Sequence, residues 1–233
     1  MAALAGRVAV VTGVSRGIGR AIAVGLARAG ARVAGCARRT DAGSFLDDLG
    51  PEERGGSIFL ACDVRVSEQV AGFRAQVETS CGPADILVNN AGIVARAATE
   101  SLSEGEWDNV LASNLTSTFL VTRAFLPGMK ACHGSRIINV ASIAGRTGTA
   151  MLAAYCAAKH GVVGLTRSWA EELRASGIAV NAICPGSVAT AMLAQGMPGA
   201  VPKMTADDIA VVALFLAQAA PAALTGACID VFG

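Results

Sequence analysis

The chain has 233 residues, with 19 basic and 18 acidic side chains and a formal net charge of +1. That balance excludes the strong positive field of a nucleic-acid or membrane-surface binder. Hydrophobic residues make up 53% and aromatics only 4%, so the apolar mass is Ala, Val, Ile and Leu, which suits a parallel sheet covered on both faces.

At this length one domain spanning residues 1–233, with one well-buried core, is expected. The seven cysteines are scattered, no C-x-x-C occurs, and the two histidines lie far apart. That pattern reads as reduced thiols in a cytoplasmic protein with no metal site. No signal peptide is expected at the N-terminus. Residues 209–229 carry no charge over 21 positions, the length of a membrane span. Pro221 and Gly226 interrupt them, and residues 209–220 read instead as a buried core helix.

In chain order, residues 7–12 form a Val-rich strand that runs into T-G-V-S-R-G-I-G and then an Ala-rich helix to residue 29. Strand, glycine turn and helix make a phosphate-binding reading credible. Gly13, Gly17 and Gly19 let the backbone approach a phosphate, and the helix start offers free N–H groups. Residues 31–36 are a second strand ending in Cys36-Ala37-Arg38-Arg39. An NAD-selective site would carry a carboxylate there. Two arginines follow instead, with Arg16 in the glycine turn, and guanidinium groups suit a ribose phosphate. The pattern favours NADP over NAD.

Residues 57–62 form a third strand ending in Asp63-Val64, and residues 67–80 an amphipathic helix with Ser67 as N-cap. Residues 85–88 form a fourth strand, followed by Asn89-Asn90-Ala91-Gly92, which suits either a cofactor passing over the sheet edge or an ordinary turn. A long helix over 106–125 carries Asn114, which could be cap-like, exposed or functional. Residues 136–141 are a fifth strand ending at Ser142.

The helix over 153–174 carries Tyr155 and Lys159, four apart and so one turn apart on one face. Tyr155 is the chain's sole tyrosine. A free phenol ionises near pH 10 and transfers protons poorly at neutrality. An adjacent ammonium is expected to lower that value, and two to three units require roughly 3–4 kcal/mol. Residues 178–183 are a sixth strand ending in Cys184-Pro185-Gly186, 205–219 a helix capped by Thr205, and 226–231 a last strand. Strands alternating with helices imply an α/β fold, a Rossmann-type doubly wound parallel sheet of about seven strands with helices on both faces. Gly13, Ala37, Asp63, Asn89, Ser142 and Pro185 all follow strand ends and are expected to converge on one rim.

Together these motifs resemble the short-chain dehydrogenase/reductase family over essentially the whole chain. T-G-x-x-x-G-x-G, Asp63-Val64, N-N-A-G, Asn114, Ser142, Y-x-x-x-K and the P-G segment ending at Thr190 fall in family order. The resemblance implies that Tyr155 is the general acid, that Lys159 lowers its pKa and holds the nicotinamide ribose, and that Ser142 polarises the carbonyl. It implies that Asn114 holds a water linking Lys159 to a proton relay. Cofactor contacts are implied for Gly13, Ser15, Arg16, Gly17, Ile18, Gly19, Arg38 and Arg39, with Asp63 and Val64 at the adenine. Asn90, Ala91 and Gly92 are implied near the ribose, and Pro185, Gly186, Val188 and Thr190 at the nicotinamide. It also implies a homotetramer, with the 106–125 and 153–174 helices forming one interface. Within the family, the chain looks nearest to 3-oxoacyl-thioester reductases.

The segment after Thr190 is short for a substrate lid, and Ala131-Cys132-His133 and Ala175-Ser176-Gly177 lack the basic residues of carrier-protein docking, which is weakly supported. The chain ends Asp230-Val231-Phe232-Gly233, a departure from the family's D-G-G. His160 points about 100° away from Lys159 around the helix and is not a second base. The expected activity is NADPH-dependent reduction of a small ketone. The alternatives are NAD(P)-dependent alcohol oxidation and a cofactor-binding regulator without activity.

Overall fold

A computed structural model describes residues 2–39 and 43–233. Its centre is one sheet of seven strands: β1 (Val8–Thr12), β2 (Arg32–Ala37), β3 (Ile58–Ala61), β4 (Ile86–Asn89), β5 (Arg136–Val140), β6 (Ala179–Pro185) and β7 (Cys228–Val231). All pairings are parallel, in the order β3-β2-β1-β4-β5-β6-β7. The order reverses between β1 and β4, which opens a crevice beyond their carboxyl ends. The helices are α1 (Gly17–Arg28), α2 (Pro51–Arg54), α3 (Ser67–Cys81), α4 (Glu104–Leu111), α5 (Ser117–Ala131), α6 (Ala153–Leu173), α7 (Ala191–Gly196) and α8 (Ala206–Gln218).

Why the strands read as unbroken apolar runs is visible in their packing. In β1, Ala9 and Val11 face α1 and α8, while Val8 and Val10 face the layer of α3, α5 and α6. Alternate side chains enter opposite cores, so both faces are apolar except where a buried polar group finds a partner, as Asn139 does with Thr166. Phe73 and Phe125 meet edge to face, 5.8 Å between ring centroids, joining α3 to α5 in the second layer.

Several boundaries differ from expectation. The helix expected over 106–125 begins at Glu104, capped by Ser103 and Glu106 reciprocally. It runs through a π turn, Ala112–Thr116, into α5. Ser67 is not a cap: Val66 takes that position, and the Ser67 hydroxyl accepts from Arg123 at 3.2 Å. Thr205 does cap α8, paired with Asp208. The uncharged 209–220 stretch is buried on one face only; Val211 and Phe215 remain exposed, whereas Ile209, Ala213 and Leu216 reach the core. The short α2 and α7 were not foreseen, because four and six residues carry too little periodicity to read. No helix among the described residues is long and apolar enough to cross a membrane.

Candidate active site

The crevice is a cleft of about 640 Å³ along the carboxyl rim of the sheet. At one end lies the glycine turn. Gly13 and Gly17 hold φ of +73° and +58°, a region costly for other residues. A Cβ at Gly19 would sit 2.2 Å from Asn90 Nδ2 and 2.3 Å from the Gly13 carbonyl oxygen. The turn is therefore drawn tight by Asn90, whose amide donates to Thr12 O (2.9 Å) and Gly13 O (3.2 Å). Thr12 Oγ1 accepts from the backbone N–H of Asn90 and Ala91, both at 3.0 Å. Ser15, Arg16, Gly17, Ile18, Ala91 and Gly92 line the same end.

Arg38 lines the cleft, but Arg39 does not; both are exposed. The neighbouring residues 40–42 lie outside the described residues. Asp63 and Val64 line the cleft, yet the Asp63 carboxylate is already engaged by Arg65, through Nε (2.9 Å) and Nη2 (2.5 Å). That guanidinium holds Asp63 below the usual carboxylate range and also donates to Asn109 at 2.6 Å. Asn89 turns away from the rim, contrary to expectation. Its amide is buried and donates to Thr122 and Asn139, each at 2.9 Å, because an amide at a strand end under two helices finds more partners inward than outward.

At the other end the chemistry gathers. Asn114 lies in the π turn and is 1% exposed. Its Nδ2 donates to Ile93 O (2.9 Å) and Val110 O (2.8 Å), while Oδ1 is buried with no protein partner. The π turn sets Asn114 Oδ1 against Gly92 of the rim, behind the cleft, which Asn114 itself does not line. Ser142 closes β5 and caps a 3-10 turn, Ile143–Gly145, its Oγ accepting from Ala144 N at 3.1 Å. Tyr155, in the first turn of α6, lines the cleft together with Ser142, and its hydroxyl donates to Met192 Sδ on α7 at 3.9 Å. Lys159 is 5% exposed, donates to Val140 O at 2.8 Å, and places Nζ 5.7 Å from the Tyr155 ring centroid.

The expected acidification of the phenol is not what this geometry produces. Burial pushes the Tyr155 phenol up to about 12, against the opposing Ser142 hydrogen bond. Burial likewise lowers Lys159 to about 8. By the pH at which the phenol would ionise, the amine has already lost its proton and supplies no charge to help it. Pro185, Gly186, Val188 and Thr190 line the adjoining wall, Thr190 also capping α7 through Leu193 N. His160 is exposed, faces Cys156 O and does not line the cleft.

Three residues escaped sequence reasoning. Arg65 binds Asp63, Met192 meets the tyrosine hydroxyl, and Gly145 sits against the backbone of Lys159. Only Arg65, two residues beyond Asp63, carried a local signal; the other contacts span 37 and 14 positions.

The residues present fit a nicotinamide dinucleotide. The glycine turn brings bare backbone to the cleft at the start of α1, exposed arginines follow β2, and Asn114 Oδ1 is an acceptor without a protein donor. Comparison with known proteins agrees. Residues 7–199 match the model of the short chain dehydrogenase family. The 3-oxoacyl-[acyl-carrier-protein] reductase FabG of Vibrio cholerae is 39% identical over 245 residues, covering 99% of this chain and 97% of that protein. The D-beta-hydroxybutyrate dehydrogenase of Cupriavidus necator is 37% identical over 248 residues, covering 96% and 95%. A solved structure from Sinorhizobium meliloti, assigned to the short-chain alcohol dehydrogenases, is 36% identical with a TM-score of 0.87, covering 97% and 95%. The chain belongs to the short-chain dehydrogenase family, and membership makes it an oxidoreductase working with a nicotinamide cofactor.

Proposed function

We propose that the chain is an NADPH-dependent carbonyl reductase acting on a 3-oxoacyl-type thioester or other small ketone, with Tyr155 as general acid. The observation that carries this reading is the gathering of Ser142, Tyr155 and Lys159 on the cleft, with Lys159 Nζ 5.7 Å from the Tyr155 ring centroid and burial disfavouring the phenolate. A phenol kept protonated is loaded to give a proton to a developing alkoxide, the direction of reduction. When bound, the cofactor supplies the hydride. Ser142 Oγ would orient and polarise the substrate carbonyl, and Lys159 would hold the nicotinamide ribose. Asn114 Oδ1, which lacks a protein donor, would accept from a water linking Lys159 to a proton relay. Gly13 to Gly19 would cradle the pyrophosphate, with Arg16 and Arg38 on the ribose phosphate. The pairing of Asp63 with Arg65 supports NADP, since among the described residues Asp63 is the one carboxylate lining that end and its charge is neutralised.

Alcohol oxidation is the second reading. It needs the phenolate, which burial disfavours here. A homotetramer is proposed with α4, α5 and α6 at one interface, supported by Trp107 and Phe119, which are 37% and 41% exposed. Seven free cysteines support a cytoplasmic location. The test is Tyr155→Phe. Loss of about 10²-fold or more in ketone-dependent NADPH oxidation is expected, and a rate near wild type refutes the assignment.

A further inference from the structure

A polar pair sits where the rest of the second layer is apolar. Asn139 on β5 and Thr166 on α6 are both 0% exposed. Ile137, on the same face of β5, and Ala170, one turn beyond Thr166, belong to the apolar cluster of that layer. Asn139 Nδ2 donates to Thr166 Oγ1 at 2.9 Å, and Thr166 Oγ1 donates to Val162 O at 2.8 Å. Asn139 Oδ1 accepts from Asn89 Nδ2 at 2.9 Å, and that amide also donates to Thr122 Oγ1 on α5. Neither Asn139 nor Thr166 lines the cleft, and the proton and hydride chemistry makes no use of them.

Their places along the chain tie them to the site. Asn139 precedes Val140, whose carbonyl accepts from Lys159 Nζ at 2.8 Å, and stands three residues before Ser142. Thr166 lies seven residues beyond Lys159, about 10 Å along the helix and nearly on the same stripe. The helix is thus fastened to the strand at two points, Lys159 to Val140 and Thr166 to Asn139. One fastening leaves α6 free to pivot about it, whereas two set its slide and rotation together. Apolar side chains alone would tolerate small slips, but a hydrogen bond weakens steeply away from its line.

We propose that Asn139 and Thr166 are a positioning pair that holds α6 where Tyr155 and Lys159 meet Ser142. The inference rests on those three residues being the reacting site, not on the direction of the reaction.

The test is Thr166→Val, which keeps the shape of the side chain and removes its hydroxyl. A displacement of roughly half an ångström at the reacting groups should lower kcat by about tenfold. NADPH affinity, read by fluorescence titration, should stay within about twofold, because the loss falls on the transition state. A fall in Tm with kcat near wild type makes the pair structural only and overturns the inference. Thr166→Ser keeps the hydroxyl and should bring kcat back to within about twofold of wild type; no recovery also overturns it. Thr122→Val breaks the same chain of side chains at α5, which carries no reacting group. It should lower Tm and leave kcat within about twofold, and an equal loss of kcat points to general loosening and overturns the inference. Should Thr166→Val fail to fold, Asn139→Leu combined with Thr166→Val removes both polar partners at little cost in stability. Its kcat should still be down about tenfold, and wild-type turnover overturns the inference. If the wild type reduces no ketone in a panel, the reductase reading falls, and the same variants are compared with NADP and an alcohol, which decides the positioning role by itself.

Discussion

Replacing Gly145 by alanine should disable the site without touching a reacting group. Gly145 is buried at the end of the 3-10 turn that begins after Ser142, and it packs against α6. A Cβ there would lie 2.6 Å from the Lys159 carbonyl oxygen and 2.8 Å from its carbon. Ordinary contact begins near 3.4 Å, so turn and helix must separate by roughly 0.8 Å (3.4 minus 2.6). Backbone sits on both sides, and no side chain can rotate away to absorb the strain. Overpacking of this kind costs about 1–3 kcal/mol, or a fall in Tm of about 2–12 °C at this chain length. The larger effect is on geometry. The shift acts between Ser142 on one side and Tyr155 and Lys159 on the other, and a misplacement near 1 Å costs about 10²-fold in rate. Steady-state kinetics and thermal melts on Gly145→Ala should therefore show kcat down ten- to a hundredfold. Gly148→Ala is the control, because a Cβ there meets nothing within 4 Å. If Gly145→Ala keeps wild-type kcat and Tm, the contact between turn and helix does not set the site.

Tyr155 is the sole tyrosine, so tyrosinate absorbance reports it directly. In the cofactor-free protein the midpoint should lie near pH 12, and a midpoint below 9 would contradict the burial argument. The sign for stability follows. A folded pKa raised above the unfolded value of about 10 gives a contribution fully present below that value and lost as pH rises through the folded one. Arg38→Asp should move the ratio of kcat/KM values for NADPH and NADH by about tenfold or more toward NADH; no movement would remove Arg38 from the ribose phosphate. In Asn114→Ala the carbonyls of Ile93 and Val110 lose their shared donor. A loss of about 1–3 kcal/mol in chemical unfolding and a fall in kcat are expected, and normal turnover would exclude Asn114 from the proton supply.

What the sequence determined was order and type. Strand, glycine turn and helix at residues 7–29, the spacing of Tyr155 and Lys159, and the caps of α8 depend on neighbours within a few positions, where propensity and periodicity act. The rim of strand ends followed from parallel topology, and most of its predicted residues line the cleft. Tertiary structure decided the rest. Asn89 and Asn90 are adjacent amides that the sequence could not tell apart, yet one faces the core and the other staples the glycine turn. The ionisation of Tyr155 depends on how much water its hydroxyl sees, and burial reversed the direction expected from a lysine one turn away. Gly145 against Lys159 and Met192 against Tyr155 are contacts across loops, set only when separate elements dock. Local pattern acts through short-range backbone preference, whereas desolvation and close packing are sums over everything nearby in space, which no window of sequence contains.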